Sequence, residues 1–414
     1  MKILGVVGTR PNFVKIAPLL AEMRSYPDVE PWLVHTGQHY DPEMADCFLR
    51  DLDISPQDVI LRNPAVSPGA QRKEMTEALR QVMLGRRPDG VVVVGDVTST
   101  VAAAVAAADL GIPVAHVEAG LRSFDRSMPE EINRIVTDSV STLLFASEPS
   151  AVRNLTAEGH SRDHIFLVGN VMIDTLKRFL AAAERSTILS RLDLLSAKGL
   201  PKKYVLVTLH RPATVDDPAV FARVWEALEA IALRLPVIFP VHPRTQARLR
   251  DPEIYASRQA TREKGGQAGT TGVRLVRPLP YLDFVRLERS AALVMTDSGG
   301  VQEETTALGV PCLTLRNNTE RPITLTEGTN QIVGLEPVRI EQAAHRILSG
   351  RFKLGRIPSL WDGHSAPRIV RILHQHFGAG MQPRYLPILP NLPAPAAAPD
   401  LDAVLPALSS CRAS

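Results

Sequence analysis

The strongest constraint on the fold is a pattern that occurs twice. Short apolar runs, each the length of a strand, end in a glycine or a polar residue and give way to a helical pattern. From Lys2 to Gly169 the runs are ILGVVG, PWLVHTG, VVVVGD, VAHVEAG, TLLFAS and IFLVGN, with helical stretches such as Phe13–Met23 between them. From Tyr204 the pattern restarts with YVLVTLH, PVIFPVH, VRLVRP, ALVMTDS and PCLTLR, separated by helices such as Phe221–Leu235. Apolar strands alternating with amphipathic helices imply parallel sheets covered on both faces. A chain of 414 residues also exceeds what one core usually supports. The expectation is therefore an α/β protein of two Rossmann-like, doubly wound domains with a ligand cleft between them.

The boundaries read as 1–171 for the first domain, 172–203 for a polar helical connection and 204–364 for the second domain. A last amphipathic helix follows at 365–378. Residues 379–414 form a Pro- and Ala-rich tail, expected to be extended or disordered and able to dock its apolar residues on the body or on a partner.

With 47 basic and 44 acidic residues the formal charge is +3, which argues against a nucleic-acid binder. The cysteines, Cys47, Cys312 and Cys411, show neither CxxC nor zinc spacing, so no disulfide framework and no metal site are expected. The apolar run in MKILGVVGTRP is too short for a signal peptide, and no run reaches transmembrane length. These features fit a cytoplasmic protein. Gly265–Gly272 lacks the P-loop lysine and reads as a surface loop.

Chemistry concentrates after the strands. VAHVEAGLRSFDRSMPEEINR (Val114–Arg134) brings Glu118, Glu130, Glu131, Arg122 and Arg134 together behind a buried-type strand. Glu131 reads first as a carboxylate in the opening turn of a helix beginning near Pro129. Glu118 reads more readily as functional. One strand earlier, VVVVGDVTST puts Asp96 between a strand and a helix opened by Thr98 or Ser99. A turn role is the common explanation for one such Asp. Two adjacent strands each ending in a carboxylate point instead to a shared acidic site.

Gly8-Thr9-Arg10-Pro11 opens a helix after the first strand, placing Arg10 and free amides where an anion can bind, with Lys15 a turn later. Pro11 as a plain helix start, with Lys15 solvated, explains the piece equally well. Its counterpart is TDSGGVQEE (Thr296–Glu304), where the amides of Ser298, Gly299 and Gly300 suit a diphosphate. Ser298 also suits an N-cap. Glu304, more than a turn into that helix, is placed for ribose hydroxyls or is a solvated face residue. Arg321, in the segment Asn317–Pro322, adds a cation. His210 and His242 each end a strand, a placement compatible with acid-base work.

Taken together, GTRP with Lys15, TGQH, GD, HVEAGLRS, MPEEINR, TLHR, TDSGGVQEE, LGVP, TERP and GTN resemble the non-hydrolysing UDP-N-acetylglucosamine 2-epimerase family, in the same order from Met1 to about Phe377. The resemblance implies a fold similar to the GT-B glycosyltransferases with a UDP-sugar between the domains. It implies interconversion of UDP-N-acetylglucosamine and UDP-N-acetylmannosamine for surface polysaccharide, by C2 deprotonation, anti elimination of UDP and re-addition. It also implies a homodimer that needs no cofactor. On matched positions Asp96, Glu118, Glu130 and His210 would be catalytic, and Arg10, Lys15, Ser298, Gly299, Gly300, Glu304 and Arg321 would hold UDP.

Some members are activated by their substrate at a neighbouring site, whose region matches at Gln38, His39 and His242. Ala70 stands before Gln71 where such members can have an arginine, which argues against obligate activation. Ala213-Thr214 replaces a Glu-Asn pair common after His-Arg in relatives. The rival expectations are a 2-epimerase of a modified sugar, such as a 2,3-diacetamido uronic acid derivative, or a GT-B glycosyltransferase.

Overall fold

The computed structural model describes residues 1–37, 49–54, 59–61, 68–249 and 272–378. The first half carries strands β1 (Lys2–Val7), β2 (Glu30–His35), β3 (Val59–Ile60), β4 (Gly90–Val94), β5 (Val114–Ala119), β6 (Leu143–Ala146) and β7 (Ile165–Leu167). Its helices are α1 (Arg10–Met23), α2 (Pro68–Arg86), α3 (Thr98–Asp109), α4 (Pro129–Val140), α5 (Pro149–Ala157) and α6 (Val171–Glu184). The strands form one parallel sheet in the order β3-β2-β1-β4-β5-β6-β7.

After a short helix α7 (Ile188–Arg191), a second parallel sheet runs β10-β9-β8-β11-β12-β13. Its strands are β8 (Val205–Thr208), β9 (Val237–Pro240), β10 (Val273–Val276), β11 (Leu293–Thr296), β12 (Cys312–Thr314) and β13 (Asn330–Ile332). The helices are α8 (Pro212–Val215), α9 (Pro218–Ala232), α10 (Pro243–Arg248), α11 (Tyr281–Ser290), α12 (Gly299–Leu308), α13 (Pro322–Thr326), α14 (Pro337–Leu348) and α15 (Ser365–Phe377).

Both faces of each sheet are buried, which is why the strands read as unbroken apolar runs. Successive valines of β4 alternate between two cores. Val92 and Val94 pack with α1 residues such as Phe13 and Ile16, while Val91 and Val93 pack with the alanines of α3. In β8, Val205 and Val207 face Trp225 of α9, and Leu206 faces Leu287 of α11. The edge strands β3 and β13 escaped the sequence reading: Val59–Ile60 is too short to show a pattern, and Asn330–Ile332 opens on two polar residues, unlike the equally short but apolar β7.

The first part of the stretch expected as a polar connection, up to Glu184, is the amphipathic helix α6. Val171, Met172, Ile173 and Leu176 of that helix lie in the core shared with α1. The last helix, α15, returns to the first sheet, where Ile369, Val370 and Leu373 join the same core. In each sheet the strand order reverses between the first strand and the fourth, at β1/β4 and at β8/β11. Open α/β sheets bind ligands outside the carboxyl ends of their strands at such switch points.

Candidate active site

Arg10 and Lys15 follow β1 and Asp96 follows β4, so they flank the first switch point. His210 follows β8, and Asp297 and Ser298 follow β11, flanking the second. The loops between β1 and α1, and between β4 and α3, are tied together by Asn12. Its Oδ1 accepts from Gly8 N (3.2 Å), Thr9 N (3.1 Å) and Thr9 Oγ1 (3.0 Å), and its Nδ2 donates to Val94 O (2.9 Å). This corrects the expectation of free amides in that turn: those of Gly8 and Thr9 are already used.

Glu118 is delivered by a distortion of β5. The register against β6 slips between Val117 and Ala119, and Glu118 has φ 75°. A left-handed backbone at a non-glycine residue costs on the order of 1–3 kcal/mol and persists only where its surroundings hold it. Here the carboxylate is paired with Lys15 of α1 and with Arg321 from the other half of the chain, leaving 4% of its side chain exposed. Arg321 in turn donates to Glu303 (2.9 Å) and lies 3.2 Å from Glu320.

A second cluster centres on Glu320, whose carboxylate meets Arg211 (3.1 Å), Arg316 (2.8 Å), Arg321 and, at 3.8 Å, Arg134. Burial alone would raise its pKa. The guanidinium groups of Arg211, Arg321, Arg134 and Arg316 overcome that and hold it well below the ordinary carboxylate value. Asp96 follows the same logic: burial opposes ionisation, but Arg134, Lys15, Arg321 and Arg211 bring its pKa down to about 2. It bonds to Arg134 and keeps 15% of its side chain exposed. Glu130 is 34% exposed, 3.8 Å from Arg211.

His210 is fixed from below. Its own amide and that of Arg211 donate to the Asp297 carboxylate at 2.9–3.1 Å, and its Nδ1 lies 3.3 Å from Asp297 Oδ1. The ring keeps 38% of its surface open. Desolvation outweighs the attraction of Asp297 and lowers its pKa below 6.5, which leaves the imidazole neutral at neutral pH. The His242 ring stands 5.3 Å away.

The residues expected to hold UDP are distributed along this rim. Ser298 is the N-cap of α12 without a capping hydrogen bond from its side chain, and its amide already donates to Thr296 Oγ1 (2.9 Å). The missing side chain of Gly299 gives room to Glu320 and Arg321: a Cβ there would lie 2.7 Å from Glu320 Oε1. One at Gly300 would touch Met172 at 3.0 Å. Glu304 is buried and accepts from Tyr281 Oη (3.0 Å). Burial and the neighbouring Glu303 push its pKa up to about 7, against the pull of that hydrogen bond. Gln38 and His39 lie outside the described residues, as does the side chain of Ala70.

Several residues take on site roles that the sequence reading did not assign to them, although Glu131 does lie in the first turn of its helix as expected. Glu131 does not cap its own helix. It accepts from Ser123 N (2.9 Å), Ser123 Oγ (3.0 Å) and Phe124 N (3.0 Å), and from Arg134 (3.1 Å), so it pins the loop before α4. Asn330 of the GTN motif joins Thr314 (2.7 Å), Gln302 (3.1 Å) and Thr324 (3.1 Å), fixing the loop that presents Arg321. Asp297 and Glu320 lie inside the quoted motifs TDSGGVQEE and TERP, but no role was assigned to either from the sequence.

A family profile described as UDP-N-acetylglucosamine 2-epimerase matches residues 21–374. The chain belongs to that family. It is 37% identical, over 90% of its length and 99% of the relative's, to a UDP-N-acetylglucosamine 2-epimerase of Methanocaldococcus jannaschii. It is also 37% identical, over 84% of its length and 92% of the relative's, to a UDP-2,3-diacetamido-2,3-dideoxy-D-glucuronate 2-epimerase of Pseudomonas aeruginosa. A crystal structure of the Methanocaldococcus jannaschii enzyme in complex with UDP-GlcNAc and UDP matches with a TM-score of 0.80 at 36% identity, covering 91% of this chain and all of that one.

As in that structural relative, the architecture is α/β of the GT-B kind. No helix among the described residues is long and apolar enough to cross a membrane.

Proposed function

We propose that the chain interconverts UDP-N-acetylglucosamine and UDP-N-acetylmannosamine. The observation that carries this reading is the meeting of Asp96, Glu118 and Glu130 from one half of the chain with His210, Arg211 and Arg321 from the other, beside the two switch points. The relative named for that reaction is similar along 90% of this chain.

The chemistry requires a group to take the C2 proton as the C–H electron pair forms the C1–C2 double bond and the C1–O bond breaks, releasing UDP. Re-addition of UDP with protonation on the opposite face completes the inversion. Glu130 and His210 are the proton carriers with open surface, and a neutral imidazole held through Nδ1 leaves Nε2 for the substrate. Arg321, Lys15 and Arg10 supply positive charge for the departing diphosphate. Glu118 and Asp96, each ion-paired, hold the cations in place and shape the field at C2.

Incubation with UDP-N-acetylglucosamine in deuterated water, followed by NMR, should show deuterium at C2 of both sugars. Sugar transfer to an acceptor without exchange would instead support a glycosyltransferase. A second reading, epimerisation of a 2,3-diacetamido uronic acid derivative, is favoured by the Pseudomonas aeruginosa relative and by Ala213-Thr214 on α8 beside His210. Comparison of kcat/KM for the two sugars decides between them. We further propose a cytoplasmic homodimer supplying surface polysaccharide, which light scattering and gene disruption would test.

A further inference from the structure

One helix, α4, organises both acidic loops. Its Glu130 faces the cleft, its Asn133 Nδ2 donates to Asp96 O (2.9 Å), and its Arg134 pairs with the Asp96 side chain. One turn further, Asp138 is completely buried. Its Oδ1 lies 2.6 Å from His116 Nδ1, and its Oδ2 accepts from Gly120 N (3.1 Å) and Arg122 Nη2 (2.6 Å). The opposite nitrogen of the His116 ring, Nε2, lies 2.8 Å from Gly95 O. His116 is itself fully buried.

The ring therefore bridges the loop that ends β4 and the helix that braces the bulge of β5. Gly95 precedes Asp96, and Gly120 is two residues beyond Glu118. Both glycines have positive φ, at 69° and 78°. Gly95 N donates to Val117 O (3.0 Å) and Asn154 Nδ2 to Gly120 O (2.9 Å), and the ring adds a buried side-chain tie to these bonds. The bridge reaches past the backbone bond, from the carbonyl of Gly95 to the helix that braces Gly120, and so stiffens the turns that carry Asp96 and Glu118 beyond what ion pairs that have to admit a diphosphate supply.

We propose that His116 and Asp138 are positioning residues of the epimerase reaction, setting the Gly95-Asp96 loop and the Glu118 bulge at a fixed distance from one another. This rests on the activity proposed above. Neither residue touches the cleft. They act through Gly95 O and Gly120 N.

The side chains of glutamine and asparagine separate the two halves of the bridge. His116→Gln places an amide near the position of Nε2 and keeps a donor for Gly95 O. His116→Asn places one near Nδ1 and keeps only the contact with Asp138, while His116→Phe keeps the packing and neither contact. The expected result is a fall in kcat of ~10²-fold for His116→Phe, the scale of a small misplacement of reacting groups. His116→Gln should recover much of that loss. KM and the calorimetric affinity for UDP should change far less than kcat in both, because Arg10 and Ser298 lie on other loops and Arg321 keeps its pairs with Glu303 and Glu320 if Glu118 shifts.

A merely structural role would lower the melting temperature and the folded fraction of both variants while leaving kcat per folded enzyme intact. That outcome overturns the proposal, as does a His116→Gln enzyme no faster than His116→Phe, or a loss of UDP affinity that matches the loss of kcat. Wild-type protein that shows no deuterium exchange at C2 would overturn the activity itself, which is a separate result read in the same assay.

Discussion

Glu118, on the bulged end of β5, and Arg321, at the start of α13, form a buried ion pair that joins the two halves of the chain across the cleft. Each is only 4% exposed in its side chain. The guanidinium is shared among Glu118, Glu303 and Glu320, so a diphosphate approaching it competes with carboxylates already in place.

Glu118→Gln should therefore behave differently from Asp96→Asn. Each is expected to lower turnover by ~10²–10⁴-fold, the usual effect of disabling an acid-base or charged group at the reacting centre. Glu118→Gln also removes a competitor from Lys15 and Arg321, and UDP should bind it at least as tightly as it binds the wild type. Asp96→Asn should leave UDP affinity unchanged. Calorimetry with UDP beside epimerisation assays separates the two, and near-normal turnover in both would remove the carboxylates from the mechanism.

The pH dependence should carry the signature of His210. Its pKa is lowered by burial, so the neutral ring persists below pH 6.5 and is lost as pH falls through the depressed value. The acid limb of kcat/KM is then expected below 6.5, and His210→Gln should abolish that limb together with most of the rate. Asp96, at about 2, contributes no limb in the working range. An acid limb that persists in His210→Gln would assign it to another group.

Glu288 on α11 is a liability rather than a catalyst. It is fully buried, and neither carboxyl oxygen has a hydrogen-bond partner among the described residues. Desolvation, then the nearby Glu304, raises its pKa well above 4.5. A carboxyl with a raised folded-state pKa keeps its proton when the unfolded chain has lost it, so stability falls as pH rises above 4.5. Glu288→Gln should melt at a higher temperature than the wild type at neutral pH, with the gap narrowing towards pH 4.5. A gap that is constant with pH would refute this account.

Gly120→Ala should destabilise the protein by more than ~1 kcal/mol, because its φ of 78° disfavours any side chain and the new Cβ would lie 2.5 Å from Ala151 O. Since the Gly120 amide also reaches Asp138, turnover per folded enzyme should fall with it. Chemical denaturation and assays on the folded fraction measure both effects.

The sequence by itself determined the two parallel sheets. Runs such as Val91–Val94 and Val205–Val207 are apolar at every position, as strands covered on both faces must be, and the helices between them carry their own periodicity. It also placed Asp96, Glu118, His210 and Ser298 at strand ends, since a local change from apolar to polar marks where a strand leaves the core. Tertiary structure alone decided which charges meet. Arg321 is 203 residues from Glu118, and Asp297 is 87 from His210, distances over which no period or motif carries information. The charge cluster of Val114–Arg134 was visible in the sequence, but that Glu131, Arg134 and Asp138 form a buried polar face of α4 became intelligible only when the ends of β4 and β5 were seen to supply its partners. Burial of a charge is set by what packs over it, and in this chain the covering groups come from remote loops.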